Sequence, residues 1–516
     1  MALKAMIVLL VTLVTVNSSL SARIAGFSGT NSGSHCFTIK KVMEEMFARG
    51  HEVVLVKPAN QNDPPTIGQR ISHKIFNVPY DQAYFEEYFV KTVMEDGIWK
   101  AVINFSEMQS VICELLLNNT ELIQYLRKFD LIVFERLFMC ASMVADLLKI
   151  PAVVLIPSPN APVACLHFKV PCLFSYVPSR LSAFTSDMSF IQRVMNTVTY
   201  INFGFAMHIL QSPSFCRLKE KYNIAPEKEL ENVLGNADLV LILGDFALEY
   251  PQPLLPGQVM VGPITAKAEP DPLPPDLANI IDSSGGHGFI IASFGSYAET
   301  IISHRTINVL AVAFGKLKQK VIWKLKGYIP SHLGANIKVV KWIPQNDLLA
   351  HKDIKAFVSH VGHSSLYESV YHGVPVVAVP LFADQFFNAG KVEHFGLGIT
   401  VDHQTVTTED FVKTIENVIT EPSFKKNAMR ISRLMKDSPR TPLEKAGDWI
   451  EYVHRHSGAQ HLRAQVFNIP WYQYYLLDVI AFLVAIVAFV VMVIRWTCRC
   501  MCRVCFRPSS EKAKND

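Results

Sequence analysis

Residues 342–385 read WIPQNDLLAHKDIKAFVSHVGHSSLYESVYHGVPVVAVPLFADQ, and this stretch decides the fold of the chain. Two short apolar runs, AFVSH at 356–360 and VPVVAVP at 374–380, have the composition of strands that are buried on both faces. Between them, residues 364–372 have the pattern of a helix that Gly373 brings to an end. A strand, a helix and a strand in this order predict part of an open parallel α/β sheet.

Polar side chains follow each of these two predicted strands. His360 and Ser364 come after the first strand, and Asp384 and Gln385 come after the second. Ligands of open parallel sheets bind at the carboxyl ends of the strands. A helix N-terminus there suits an anion, and a carboxylate suits the hydroxyl groups of a sugar. The stretch therefore predicts a site for a ligand that carries both kinds of group.

The order W-x-P-Q, F-x-S-H-x-G, Glu, H-G-V-P and P-L-F-x-D-Q resembles the signature of the UDP-glycosyltransferase superfamily, of the UDP-glucuronosyltransferase type. The segments KYNIAPEKEL and SFGSYAE are similar to its ceramide galactosyltransferase-like and UDP-N-acetylglucosamine-using branches. The resemblance covers nearly the whole chain. It implies an α/β GT-B fold with two facing Rossmann-like domains, a UDP-sugar as co-substrate, and no metal or other cofactor.

The rest of the sequence fits two α/β halves that are joined by a linker. Strand and helix patterns alternate over residues 23–250 and again over 281–440. The prolines concentrated in residues 251–280 predict an extended connector between them. We therefore expect an N-terminal acceptor domain, a C-terminal domain that binds the UDP-sugar, and a helical stretch over 441–475 that leads to a membrane.

Apolar segments at both ends of the chain predict a membrane-anchored protein. Residues 1–22 have a basic residue, a short apolar core and small residues at the end, as in a cleaved signal peptide. Residues 476–494 are long and apolar enough to span a bilayer, and the basic tail 495–516 is expected in the cytosol. Lys512 and Lys514 resemble the dilysine retrieval signal of endoplasmic reticulum membrane proteins. We expect a single-pass protein of that membrane with luminal domains.

The composition gives no support to nucleic acid as a partner. The formal net charge is +4, and the sequence has no long basic run and no basic stripe interleaved with aromatic residues. Half of the residues are hydrophobic, which is a high fraction for a soluble enzyme, and the two apolar segments explain part of it. Self-association of the chain is left open.

The resemblance assigns the donor site to the C-terminal domain. Trp342 is expected to stack on uracil, Gln345 to reach uracil or ribose, and Glu368 to accept from the ribose hydroxyls. Asp384 and Gln385 are expected to bind hydroxyls of the transferred sugar. The positions expected around the diphosphate are Gly295, Ser296, His360, Gly362 and Ser364.

The same resemblance makes His35 the catalytic base, since it stands at the start of the first predicted helix, just after the first strand. Histidine suits this role because its ordinary pKa lies near neutral pH. Glu135 ends a predicted strand over residues 129–135 and stands where the family has an Asp that orients the histidine.

Four positions depart from the family pattern. They are Val361 in place of Gly, Ser364 in place of Asn, Glu135 in place of Asp, and Gln252 in place of an Arg that helps to neutralise phosphate. We expect Val361 to place a branched side chain beside the phosphate site, and the change to Gln252 to remove one cation from it. These changes affect the donor sugar and the rate more than the fold.

Residues 165–235 are the least regular part of the sequence. The apolar segment 181–205 fits an acceptor pocket or a membrane contact, and it fits helices packed within the N-terminal domain equally well. The six cysteines before the membrane anchor fit buried free thiols and disulfides alike. Sequons at Asn104 and Asn118 predict glycans if this part is luminal.

The leading hypothesis is a membrane-bound UDP-glycosyltransferase that moves a hexosyl or glucuronosyl group to a hydroxyl of a lipophilic acceptor, with inversion. A sphingolipid hexosyltransferase is the alternative within this class. A UDP-binding pseudoenzyme with weak or no turnover is the alternative outside it, because of Val361, Ser364 and Gln252. Asp384 and Gln385 fit glucose, galactose and glucuronate as the donor sugar alike.

Overall fold

The computed structural model describes residues 21–29, 33–59, 71–81, 84, 92, 96–295 and 301–505. Most of the predicted signal peptide, Ser296 and the dilysine-like end of the tail lie outside these residues. The chain forms one compact unit up to Arg463, which contains two lobes, and a second unit from Ala464 onward.

A parallel sheet of seven strands forms the core of the first lobe. Its strands are β1 (Arg23–Phe27), β2 (Glu52–Pro58), β3 (Ser72–Phe76), β4 (Leu131–Glu135), β5 (Ala152–Ile156), β6 (Leu239–Ile242) and β7 (Gln258–Met260). They lie in the order β3-β2-β1-β4-β5-β6-β7, and all neighbours run parallel. From β1 the strand order runs outward through β2 and β3 on one side, and from β4 it runs outward through β5, β6 and β7 on the other. The β1–β4 pair is therefore the topological switch point.

A second parallel sheet, of six strands, forms the core of the second lobe. Its strands are β8 (Phe289–Ser293), β9 (Lys320–Lys324), β10 (Ile337–Val340), β11 (Ile354–Ser359), β12 (Val376–Ala378) and β13 (Gly398–Thr400). Their order is β10-β9-β8-β11-β12-β13, so the β8–β11 pair is the switch point of this sheet.

Helices connect the strands of both lobes. In the first lobe these are α1 (Ser34–Ala48), α2 (Ile98–Asn118), α3 (Thr120–Leu126), α4 (Cys140–Leu148), α5 (Pro162–Phe168), α6 (Phe190–Lys221) and α7 (Leu230–Leu234). From the linker onward these are α8 (Pro275–Asp282), α9 (His304–Gly315), α10 (Gln345–Leu349), α11 (His363–Tyr371), α12 (Gln385–His394), α13 (Thr408–Thr420), α14 (Pro422–Lys436) and α15 (Pro442–Arg455). Two 3₁₀ turns (Gln460–Leu462 and Gln465–Phe467), α16 (Trp471–Tyr474) and α17 (Leu477–Cys505) follow.

The predicted α/β architecture with two Rossmann-like sheets is confirmed. The apolar runs at 356–360 and 374–380 contain β11 and β12, and the helix between them is α11. Gly373 has φ +66°, a left-handed conformation that a residue without Cβ adopts readily at a helix end. All residues of β12 are buried, because helices cover both faces of a parallel sheet.

Helix α15 lies beyond the second sheet in sequence but packs on the first lobe. Its residues Ala446, Ile450 and Val453 share a hydrophobic core with Met43 and other residues of α1. Arg49, at the end of α1, donates to Asp448 over 2.8 Å. The chain therefore returns to the first lobe before it reaches its C-terminal unit, and this return ties the two lobes together.

A buried ion pair also links the two lobes. Lys391 on α12 lies 2.6 Å from Glu249, which follows β6, and both side chains are at most 1% exposed. Tyr367 on α11 donates its hydroxyl to Glu249 over 2.8 Å. Burial lowers the pKa of Lys391, whereas the negative charge of Glu249 opposes that shift. The pair holds α11 and α12 against the start of the linker.

Helix α6 resolves the apolar segment that begins at residue 181. One side of it is buried through Asn196, Tyr200 and Phe215, so the helix packs within the first lobe. The other side exposes a row of large apolar side chains, namely Phe190, Ile191, Val194, Met195, Val198, Ile201, Phe205 and Ile209. Packing within the N-terminal domain and an apolar surface were predicted as alternatives for this segment. Helix α6 shows both, on opposite sides.

Four cysteines of the first lobe form disulfides, Cys113–Cys140 and Cys165–Cys172. Cys36 is buried and Cys216 is partly buried, and neither belongs to these two disulfides. The two sequons differ in their surroundings, because Asn104 is only 8% exposed whereas Asn118 lies exposed at the end of α2. The structure therefore favours Asn118 over Asn104 as a place for a glycan.

The C-terminal unit contains α17, which begins close to the predicted membrane span and continues beyond Ile494. Among the described residues it is the one helix long and apolar enough to cross a membrane, with a 26-residue span from Leu477 to Cys502 and a mean hydropathy of 3.1.

The interlobe pair makes a prediction for stability. We expect Glu249→Ala to lower the free energy of unfolding by about 3–5 kcal/mol, because it leaves the buried Lys391 without its counter-charge. Thermal unfolding in detergent, followed by tryptophan fluorescence, measures the effect. Glu409→Ala, which breaks an exposed pair with Lys316, is the matched control and should leave the midpoint unchanged. Equal midpoints for the two variants would contradict the role of the interlobe pair.

Candidate functional site

Four of the candidate site residues stand at the switch points of the two sheets. His35 follows β1 and Glu135 ends β4, which are the two central strands of the first sheet. Gly295 follows β8 and His360 follows β11, which are the two central strands of the second sheet. Switch points are the crevices in which open α/β sheets bind ligands. The topology thus brings residues that are far apart in sequence to the expected places.

His35 and Glu135 form a close pair. The Nδ1 atom of His35 lies 3.0 Å from a carboxylate oxygen of Glu135, and the other oxygen accepts the backbone N–H of Leu137 over 2.8 Å. Burial favours the neutral acid, but His35, together with Arg136 and the backbone N–H of Leu137, outweighs it and keeps the pKa of Glu135 below its ordinary value. The imidazole is 32% exposed and the carboxylate 1% exposed, so Nε2 is the ring nitrogen left for a substrate.

Gln345 and Glu368 come together at the start of α10 and on α11. The Nε2 atom of Gln345 donates to Glu368 over 2.8 Å. Burial raises the pKa of Glu368 to about 7, in spite of the hydrogen bonds from Gln345 and Thr265. Trp342 lies three residues before Gln345 and is 53% exposed, which leaves it accessible for stacking. A stacking ring beside a carboxylate and an amide suits a nucleoside.

His360 is held between two glycines. A Cβ at Gly295 would lie 2.8 Å from its Nε2 atom and a Cβ at Gly362 would lie 2.6 Å from it, so both positions require glycine. The Nδ1 atom lies 3.4 Å from the carbonyl oxygen of Ser293. Burial lowers the pKa of His360 to about 4, so the ring is neutral at neutral pH. Ser364 lies in the first turn of α11, whose N-terminus lies just after His360.

The expectation for Val361 is wrong. Its side chain is fully buried, in a core cluster with Leu248, Leu366 and Tyr367, and does not lie beside the phosphate site. The residue has φ +53°, which is rare for a β-branched side chain and costs on the order of 1–3 kcal/mol. The backbone is therefore shaped as if glycine were present, and the core around the side chain compensates for the strain.

Asp384 and Gln385 begin α12 but differ in what they can bind. Gln385 is 4% exposed, and its amide oxygen accepts the backbone N–H groups of Leu381 and Phe382 over 2.7 and 3.2 Å. Only its NH₂ group is left for a ligand. Asp384 pairs instead with Arg180, whose charge lowers the pKa of Asp384 to about 2 although burial opposes the shift.

Two arginines of the first lobe were not predicted. Arg180 contacts Asp384, and Arg136, next to Glu135, lies within electrostatic range of both. Burial lowers the pKa of Arg136 to about 10, which still leaves it charged at neutral pH. One signal was present in the sequence, because Arg180 is the only charged residue between Lys169 and Asp187. A lone charge in an apolar segment indicates a specific partner.

Gln252, in the place of a family arginine, has an unusual environment. Both polar atoms of its side-chain amide are buried and lack a hydrogen-bond partner among the described residues. A buried amide without partners is costly unless a ligand or water satisfies it. Within the residues that the structure describes, no group of three or more His, Cys, Asp and Glu side chains is arranged to hold a metal ion.

Comparison with known proteins agrees with this geometry. The family described as "UDP-glucoronosyl and UDP-glucosyl transferase" matches residues 28–512. UDP-glucuronosyltransferase 2B1 of Rattus norvegicus is 36% identical over 488 residues, which is 91% of this chain and 92% of the relative. UDP-glucuronosyltransferase 1-2 of Mus musculus is 35% identical over 490 residues, with 92% and 90% covered.

Solved structures agree in fold at lower identity. A variant of Os79 from O. sativa in complex with UDP has a TM-score of 0.59 at 16% identity, over 84% of this chain and all of that chain. The glycosyltransferase SnogD from Streptomyces nogalater has a TM-score of 0.57 at 16% identity, over 85% of this chain and all of that chain. The chain therefore belongs to the UDP-glucuronosyl and UDP-glucosyl transferase family, and it is a UDP-glycosyltransferase of the GT-B fold that transfers a glycosyl group from a UDP-sugar to an acceptor.

Proposed function

We propose that this protein transfers the sugar of a UDP-sugar to a hydroxyl of a lipophilic acceptor with inversion, and that His35 is the base. The observation that carries the proposal is the His35–Glu135 pair at the switch point of the first sheet. A histidine whose Nδ1–H is held by a buried carboxylate presents Nε2 as a proton acceptor. Such a pair activates a hydroxyl at neutral pH.

The reaction is a single displacement. Nε2 of His35 takes the proton of the acceptor hydroxyl as its oxygen attacks the anomeric carbon of the sugar. The bond from that carbon to the diphosphate oxygen breaks, and UDP leaves with the electron pair. Attack from the side opposite the leaving group inverts the configuration. Glu135 stabilises the imidazolium that forms, because its carboxylate is buried and ionised.

The diphosphate is proposed to bind at Gly295, His360 and the N-terminus of α11. Backbone N–H groups at a helix start favour an anion, and no metal is assigned to the reaction. A neutral His360 that donates from Nδ1 to Ser293 presents an acceptor at Nε2. We therefore propose that His360 takes up a proton when the diphosphate binds. This proton supplies part of the positive charge that the family arginine at the position of Gln252 would bring.

The acceptor is proposed to be lipophilic and to reach the site from a membrane. The membrane-spanning candidate α17 and the exposed apolar face of α6 both support this. The disulfides of the first lobe support an oxidising compartment, here the lumen of the endoplasmic reticulum. A ceramide-type acceptor is the alternative within this class, and a panel of phenols, sterols and ceramide distinguishes the two.

The role of His35 predicts a loss of rate without a loss of nucleotide binding. We expect His35→Ala to lower kcat by about 10²–10⁴-fold, since it removes the proton acceptor, and to leave the Kd of UDP unchanged. Membranes assayed with radiolabelled UDP-sugars and the acceptor panel measure the rate, and calorimetry measures the Kd.

His304→Ala, at an exposed position at the start of α9, is the matched control and should retain full activity. Product formed by His35→Ala at the wild-type rate would reject the histidine as base. UDP binding by the wild-type protein with no product from any donor would establish the pseudoenzyme instead.

The pKa of Glu368 predicts how UDP binding depends on pH. The ionised carboxylate accepts two ribose hydroxyls, whereas its pKa of about 7 in the free protein means that it is mostly protonated at pH 6. We expect the affinity for UDP to fall about tenfold from pH 8 to pH 6. Glu368→Gln should lack the part of this pH dependence that comes from the carboxylate. Because UDP and His360 are present in both experiments, dividing the affinity of wild type by that of the variant at each pH removes their contributions. Parallel pH profiles would contradict the ribose contact.

The proposed topology predicts protease protection. In sealed microsomes, proteinase K should remove a tag placed after residue 516 and leave the body of the protein intact, because only the tail is cytosolic. Detergent should expose the whole chain to the protease, which is the control. Digestion of the body in sealed vesicles would place the lobes on the cytosolic side and contradict the proposal.

A further inference from the structure

The strongest contact that the known chemistry leaves unexplained is the ion pair between Arg180 and Asp384. The Nη2 atom of Arg180 donates to Oδ2 of Asp384 over 2.6 Å, and the arginine side chain is only 10% exposed. Arg180 belongs to the first lobe, in residues 174–183, which we call the arginine segment. Asp384 belongs to the second lobe. The pair therefore crosses between the lobes at the expected position of the transferred sugar.

The arginine segment is held in place by buried side chains. Asn196 of α6, which is fully buried, accepts the backbone N–H of Ser179 over 2.7 Å and donates to the carbonyl oxygens of Phe174 and Val177 over 2.9 Å each. The backbone N–H of Arg180 donates to the carbonyl oxygen of Asn160. A surface ion pair between mobile side chains lacks such support, so this arginine is positioned by the fold.

The second lobe is shaped to receive the segment. A Cβ at Gly390 on α12 would lie 3.0 Å from the carbonyl oxygen of Ala183, so the missing side chain lets the segment approach closely. Asn388, one turn after Asp384, donates to the same Oδ2 atom over 3.0 Å. Two donors thus hold Oδ2, while none of the contacts among the described residues engages Oδ1.

We propose that Arg180 is a positioning residue for the donor sugar, which fixes the carboxylate of Asp384 so that Oδ1 accepts a hydroxyl of that sugar. This inference rests on the proposed donor site. The guanidinium also balances the charge of Asp384, which a sugar must approach closely while the diphosphate brings further negative charge nearby. The other titratable groups whose charges act on the pair are Arg136, Lys391, His35, His360 and His363.

The proposal separates the sugar from the nucleotide. UDP carries the uracil, ribose and diphosphate but lacks the group that Arg180 positions. We expect Arg180→Met to weaken the binding of a UDP-sugar about tenfold or more, as expected for a lost hydrogen bond to a charged group, and to change the binding of UDP less than twofold. Arg180→Lys retains the charge and should restore part of the affinity.

Calorimetry on the full chain in detergent tests this. Wild type is first titrated with UDP-glucose, UDP-galactose, UDP-glucuronate and UDP-N-acetylglucosamine, and the one that binds most tightly is then compared with UDP for each variant. Arg217→Met, at an exposed position of α6, is the matched control. The pH profile is a second readout. Without Arg180 the pKa of Asp384 rises, so the affinity for the UDP-sugar should begin to fall at a higher pH than in wild type.

Four outcomes would overturn the inference. The first is an equal loss of affinity for UDP and the UDP-sugar in Arg180→Met, and the second is unchanged affinity for both. The third is tighter binding of the UDP-sugar by Arg180→Met, which would mean that the ion pair blocks the sugar. The fourth is no binding of any UDP-sugar by wild type. If Arg180→Met fails to fold, Arg180→Lys carries the same comparison of UDP with UDP-sugar. Normal UDP-sugar binding without turnover would contradict the proposed function and not the role of Arg180, so the two failures are distinguishable.

Discussion

The relative position of the two lobes depends on a pair of opposite charges that is buried between them. Glu249, between β6 and β7 of the first lobe, and Lys391, on α12, have lost nearly all contact with water. Separation of the lobes at this point would leave each charge unpaired, at a cost far above that of an exposed pair. The helices that Glu249 contacts, α11 and α12, also carry Glu368 and Asp384. The constraint therefore acts directly on the donor site.

A composite site follows from this constraint. The first lobe brings His35, the proposed base, beside the buried Glu135, and the second lobe brings the candidate residues for uracil, ribose and diphosphate. Neither sheet has both sets of groups, so activity requires the two switch points to face each other at a fixed distance. The return of α15 to the first lobe gives a second restraint on that distance, through Arg49 and Asp448.

The departures from the family pattern have different physical consequences. Val361 keeps the glycine-like backbone at φ +53° and places its side chain in the core, so the diphosphate corner keeps its shape. Gln252 is a neutral amide where the family resemblance leads us to expect a cation, and its polar side-chain atoms lack hydrogen-bond partners among the described residues. The loss is thus one of charge and not of shape, which is a reason to expect binding of the nucleotide with an altered rate.

Sequence by itself determined the fold class and gave most of the residues of the candidate donor site. Short Val-rich and Ala-rich runs that alternate with helix patterns are typical of a parallel sheet covered by helices. Residues that follow such strands converge at the same sheet edge whatever the loops do, so His35, Glu135, His360 and Glu368 could be predicted from local patterns and the family resemblance. The helix before Gly373 was predictable for a similar local reason.

Only the tertiary structure decided that the Val361 side chain points into the core and that the Gln385 amide oxygen accepts backbone N–H groups at residues 381 and 382. It also decided that Arg180 contacts Asp384. Each of these depends on which atoms from distant segments fill the space around the residue, and no local pattern records that. Arg180 and Asp384 are 204 residues apart and belong to different lobes. Their contact exists because Asn196 holds one segment, Gly390 leaves room for it, and the buried Glu249–Lys391 pair keeps the lobes together.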